Sequence, residues 1–241
     1  MSRRLLASRW LAVLLVVPAL GAWTEAGVIR SGPSTCHGVA LTFDLCPVKE
    51  GSGFDEPLVQ ELITHRLHAT FFPSGRWMAT HDAAVRELLA VPFFEIGTHG
   101  EEHKSLPTLT RAGQVREMEG AVKRLASQYG RKAVLFRPPY GDYNEESVSV
   151  AHQEGLQIVL WSVVSGDPDP KLPADRIAAE VERRAHNGSI VIFHANGRGW
   201  HTAEVIEDVY RHLIVEKGLA PLTVSELVAG CADHHALVPG H

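Results

Sequence analysis

Residues 39–44 read Val-Ala-Leu-Thr-Phe-Asp: a short apolar run, with one β-branched polar residue inside it, ending on a carboxylate. A run of this length bounded by turn-forming residues fits a buried strand better than a helix. The same form recurs along the chain. Strands are predicted at Val39 to Phe43, Ala69 to Phe72, Phe93 to Gly97, Ala133 to Phe136, Leu156 to Trp161, Ser189 to Phe193 and Pro221 to Val224. Between them lie stretches with apolar residues at helical spacing: Leu58 to Leu67, Ala83 to Ala90, Ser147 to Glu154, Arg176 to Ala185 and Ala203 to Val215. A further helix is marked by Val115, Met118, Val122 and Leu125, with Thr110 as its N-cap and Gly130 closing it. Strand and helix in alternation signify an α/β domain with a parallel sheet, and seven such units favour a closed or nearly closed barrel.

Polar residues follow the strands with regularity. Asp44 leaves the first, His99 and His103 (in THGEEH) the third, Arg137 (in FRPPYG) the fourth, Asp167 (in WSVVSGD) the fifth and His194 the sixth. In a barrel these exits share one mouth, where catalytic residues gather. Each residue has a plainer reading as well. Asp44 is a base, a metal ligand or a turn carboxylate. Arg137, in a loop stiffened by two prolines, is a carboxylate clamp or a surface arginine. His194 is a general acid or a satisfied core histidine, and Asp167 orients it or makes a turn. The chain has 14 histidines in 241 residues, so an HxxxH pair alone says little. Their common position carries the weight.

The 45% apolar content can fill a sizeable core, and a formal charge of −5 offers no basic stripe for nucleic acid. Arg3, Arg4 and Arg9 precede the apolar run Trp10 to Leu20, with small residues Gly21, Ala22 and Ala26 after it. That order predicts a signal peptide over residues 1–26, with an N-terminal membrane anchor as the alternative, and an exported protein, periplasmic or secreted. The remaining chain, 27–241, reads as one domain. Of the three cysteines, Cys36 and Cys46 flank a strand that holds them apart, so a bridge from the N-terminal segment to Cys231 is expected.

In this order, TFD (42–44), HxxxH (99–103), RPPYG (137–141), the WSVVSGD string and a strand ending in His194 resemble the NodB-type polysaccharide deacetylases, carbohydrate esterase family 4, over about residues 38–228. The resemblance implies a distorted (β/α)7 barrel, a divalent metal with Zn2+ preferred, and removal of N-acetyl groups from a peptidoglycan- or chitin-like glycan. It implies His99 and His103 as metal ligands, Asp44 as base, His194 as acid, Arg137 orienting Asp44, and Asp167 orienting His194. Tyr140 falls where a backbone N–H would face the oxyanion, and Trp161, Trp200 and His201 are candidates for sugar contact.

One departure stands out: the family's first motif usually reads TFDD, and here Leu45 stands where a third ligand is expected. Asp55 is the preferred replacement, although it also suits an N-cap; Glu101, Glu102 and Asp44 itself are the others. Gly100 and Val164 differ from the family's usual residues too. Two alternatives to a deacetylase follow: a barrel that binds glycan without turning it over, and a hydrolase of another C–N bond in a smaller molecule.

Overall fold

The computed structural model describes residues 27–49 and 52–231. The expected N-terminal signal or anchor lies outside them; no helix among the described residues is long and apolar enough to cross a membrane. In chain order the elements are β1 (Val28–Ile29), β2 (Gly38–Leu45), α1 (Glu56–Thr64), β3 (Ala69–Pro73), α2 (Gly75–Met78), α3 (Asp82–Ala90), β4 (Phe94–Ile96), α4 (Arg111–Tyr129), β5 (Leu135–Phe136), α5 (Glu145–Gln153), β6 (Gln157–Val159), β7 (Val163–Val164), α6 (Ala174–Arg184), β8 (Ser189–His194), α7 (Thr202–Val209), β9 (Ala220–Pro221) and α8 (Val224–Val228).

The strands named here pair in parallel. One group runs β4-β3-β2-β8-β7 with β9 also on β2, and a second runs β1-β6-β5. They meet where Thr98 donates to Leu135 and Arg137 donates to Thr98, and where Ser162 donates to Ile190. The result is the expected distorted α/β barrel. Two edges are ragged: β6 and β7 are separated by a bend at Ser162 and pair with different neighbours, and the seventh predicted strand is shorter than expected. Only Ala220–Pro221 pairs, because Thr223 already caps α8 in a capping box with Glu226. β1 and α2 carry too little pattern to read in advance.

Register along β2 explains the core. Val39, Leu41, Phe43 and Leu45 face the helices, packing with Leu58, Val59 and Trp77. The alternate face is the barrel interior, where Ala40 meets Phe72, Leu135, Val159 and Ile190. This is the period-two alternation of a strand buried on both faces. The C-terminal segment closes the lower end of the barrel: Leu222, Val224 and Leu227 pack into the interior cluster, and Cys231 bonds to Cys36. The bridge spans 195 residues, a long loop whose closure constrains the unfolded chain. α4 begins at Thr110, which accepts from the Gly113 N–H, and ends at Gly130 with φ 65°, as its sequence predicted.

Candidate active site

The upper ends of β2, β4, β5 and β8 converge on a cleft of about 300 Å³ lined by Asp44, Cys46, His99, His103, Tyr140, Trp161, Asp167, His194 and Arg198, among others. The even register that puts Ala40 in the interior carries Thr42 and Asp44 upward along the same face. Thr42 Oγ1 donates to the Val191 carbonyl, and Asp44 reaches the mouth.

Arg137 fixes Asp44. It is completely buried, donates from Nη1 to Asp44 Oδ1 at 2.8 Å and from Nη2 to the Leu160 carbonyl at 3.2 Å, and lies over the Phe72 ring at 4.2 Å. Burial would raise the Asp44 pKa, but the charges of His99, Arg137 and His194 and the Arg137 bond hold it below the usual carboxylate range. Asp44 is therefore a buried carboxylate that stays ionised. Its other oxygen, Oδ2, stands 3.5 Å from His99 Nε2.

The two histidines face one another. His99 donates from Nδ1 to the Arg137 carbonyl at 2.8 Å, which leaves a lone pair on Nε2. That Nε2 is 3.2 Å from Nε2 of His103. Two nitrogens held about 2.0–2.1 Å from one tetrahedral Zn2+ lie roughly 3.3 Å apart, so this separation fits a shared cation. Burial lowers the pKa of His99, and burial together with His99 pushes His103 down to about 3, so the lone-pair-bearing form of each ring is favoured. The pair sits on a strained loop. His103 has φ 60° and Tyr140, whose ring packs edge-on to His103, has φ 64°; non-glycine residues in this region mark sites held in place by their surroundings.

Across the cleft, Asp167 is saturated with donors: His194 Nδ1 at 3.0 Å, the His194 N–H at 2.7 Å, Thr202 Oγ1 at 2.8 Å and Ser165 Oγ at 2.9 Å. His194 thus holds a proton on Nδ1 and turns its other nitrogen outward. Burial works against its charged form, but the bond and charge of Asp167 and the charge of Asp44 outweigh it, and the pKa is raised.

Several expected residues have other uses. Asp55 caps α1, accepting from the Leu58 N–H at 3.2 Å, and does not line the cleft. His201 starts α7 with its ring toward Glu204, and Trp200, 57% exposed, stands clear of the cleft; of the three candidates for sugar contact only Trp161 lines it. Glu101 pairs with Arg124, and Glu102 is exposed. Leu45 is buried in the helix-facing core.

The structure also adds residues. Glu117 accepts from the N–H groups of Glu102 and Lys104 and so cradles the turn that carries His103. The same carboxylate explains Gly100, which has φ 76° and whose added Cβ would meet Glu117 Oε1 at 2.6 Å. An acidic residue on the buried stripe of α4, one step from Gln114 and Ala121, was the signal for Glu117. Cys46, next to Leu45, lines the cleft as a buried free thiol whose pKa is raised by burial and by Asp44.

A family profile described as polysaccharide deacetylase matches residues 31–159. A peptidoglycan-N-acetylglucosamine deacetylase of Bacillus cereus is 30% identical over 74% of this chain and 66% of its own. A solved peptidoglycan N-acetylglucosamine deacetylase superposes with TM-score 0.78 at 25% identity, covering 84% of this chain and 93% of that one. A CE4 family pseudoenzyme from Bacillus anthracis superposes with TM-score 0.74 at 25% identity, covering 83% and 68%. The chain spans between 56% and 66% of the length of curated relatives such as these. Barrel, motif order and profile agree, and the chain belongs to the polysaccharide deacetylase family, carbohydrate esterase family 4.

Proposed function

We propose that the chain is a metal-dependent hydrolase that removes N-acetyl groups from a peptidoglycan- or chitin-like carbohydrate. One observation carries the reading: an arginine-held carboxylate, two facing neutral imidazoles and an aspartate-held imidazole surround a single cleft. A divalent ion held by His99 and His103, Zn2+ by preference, would supply Lewis acidity that lowers the pKa of bound water and polarises the acetyl carbonyl.

The chain's own residues do the rest. Ionised Asp44, with Oδ1 tied to Arg137, accepts the proton of the attacking water as the new C–O bond forms. His194, whose cationic form Asp167 favours by raising its pKa, gives its Nε2 proton to the departing nitrogen as the C–N bond breaks, leaving acetate and a free amine. Tyr140 lines the cleft, where its backbone N–H would meet the developing oxyanion, and Trp161 offers an aromatic wall for a sugar ring. We further read residues 1–26 as an export signal or anchor. The Cys36–Cys231 bridge supports an oxidising destination, periplasmic or extracellular.

Leu45 favours a second reading, a barrel that binds glycan but has lost strong metal binding, as does the likeness to a pseudoenzyme. Acetate release from N-acetylglucosamine oligomers and from peptidoglycan, measured with metal-reconstituted protein, separates the two: acetate supports the hydrolase, and none from either substrate leaves the binding barrel.

A further inference from the structure

We propose that Cys46 is the third protein ligand of this metal site, completing a two-histidine, one-thiolate set that selects Zn2+ over Mg2+ or Mn2+. The inference rests on reading His99 and His103 as metal ligands. Ligand atoms of Cys46, His99 and His103 all lie within 4.8 Å of one another. Around one Zn2+ a sulfur at about 2.3 Å and a nitrogen at about 2.0–2.1 Å stand roughly 3.5 Å apart, so a small torsional adjustment of one cysteine closes the set.

Strand parity makes Cys46 the residue that reaches. Leu45 continues the odd register of β2 into the helix-facing core, whereas Cys46, one residue past the strand, keeps the even register of Asp44 and lines the cleft. Its backbone is pinned: Asn196 Nδ2 donates to the Cys46 carbonyl at 2.9 Å, and the Ser74 N–H donates to the Leu45 carbonyl at 3.1 Å. Of the carboxylates that could substitute, Asp55 caps α1, Glu101 pairs with Arg124 and Glu102 is exposed, while Asp44 is held by Arg137 in the place of the base. Cys36 and Cys231 are joined to each other, leaving Cys46 as the free, buried thiol among the described residues. Thiolate with imidazole suits zinc and cobalt, and oxygen-seeking ions poorly.

Cobalt substitution tests this without any turnover. Protein with its disulfide intact is stripped with a chelator and titrated with Co2+. Wild type gives tetrahedral d–d bands together with a sulfur-to-cobalt charge-transfer band in the near ultraviolet, and X-ray absorption of the zinc form shows a sulfur at about 2.3 Å. In Cys46→Ser the charge-transfer band disappears and zinc affinity falls by roughly 100-fold or more. Wild-type cobalt protein with d–d bands and no charge-transfer band overturns the cysteine ligand while the hydrolase reading stands. Failure of wild type to bind either metal overturns both. The wild-type spectrum decides even where the variant folds poorly.

Discussion

Replacing Arg137 with methionine tests how the site is held. The substitution keeps most of the buried stem but removes the 2.8 Å bond to Asp44 Oδ1 and the donors to the Leu160 and Val159 carbonyls. Asp44 is 3% exposed, so its carboxylate is left charged and nearly dry. Breaking a buried pair by removing one partner costs about 3–5 kcal/mol, much more than an exposed pair is worth. The sign of its pH dependence follows. In wild type the Asp44 pKa lies below its unfolded value, so its stabilisation is present above about pH 4 and is lost as pH falls through the folded pKa. Without Arg137 its charge and bond no longer offset burial, so the folded pKa rises and the variant's deficit shrinks on acidification. Urea denaturation of metal-free protein, disulfide intact, should therefore show Arg137→Met less stable by about 3–5 kcal/mol at pH 7, with the gap narrowing toward pH 4. Asp44→Asn in the same background should restore about 1–3 kcal/mol. A deficit under about 1 kcal/mol at pH 7, unchanged with pH, would show that the pair is not the buried, compensated one described here.

Asp44→Asn alone should retain zinc, measured by metal content, yet lose roughly 10²–10⁴ in acetate release; a full-rate variant removes Asp44 as the base. Leu45→Asp, although it restores the family's usual residue, should destabilise the fold by about 3–5 kcal/mol in urea melts, since position 45 is fully buried in the helix-facing core. A neutral result there would mean the end of β2 re-registers. His194 contributes stability through its raised pKa, so the difference between wild type and His194→Gln in metal-free protein should be full below about pH 6.5 and decline as pH rises through the folded value. A difference that grows with pH contradicts the Asp167 bond.

Much of this is legible in the sequence. Apolar runs ending in polar residues give strands with polar exits, and the barrel brings Asp44, His99, His103, Asp167 and His194 to one cleft, with Arg137 buried behind Asp44. Local chemistry was least legible where a residue suits two uses. Asp55 is a good N-cap as well as a ligand type, and the first turn of α1 uses it as a cap. His201 and Trp200 follow the β8 exit in sequence, but the chain turns at Gly199 to start α7 and carries them off the cleft. The place of Cys46 in the cleft was not legible, because the side it faces depends on parity at the end of β2, where one residue of register separates core from cleft. Glu117 acts through backbone N–H groups that no motif records, and its one trace in the sequence is a carboxylate on the buried stripe of α4.

Metal-dependent deacetylation is the activity proposed for the cleft. It is tested most directly by following free amine formation on N-acetylglucosamine oligomers while zinc is titrated into chelator-stripped protein. Amine formation should rise from the stripped baseline and level off at one equivalent of zinc. Stoichiometric zinc binding with no amine formed on these oligomers or on peptidoglycan would contradict it.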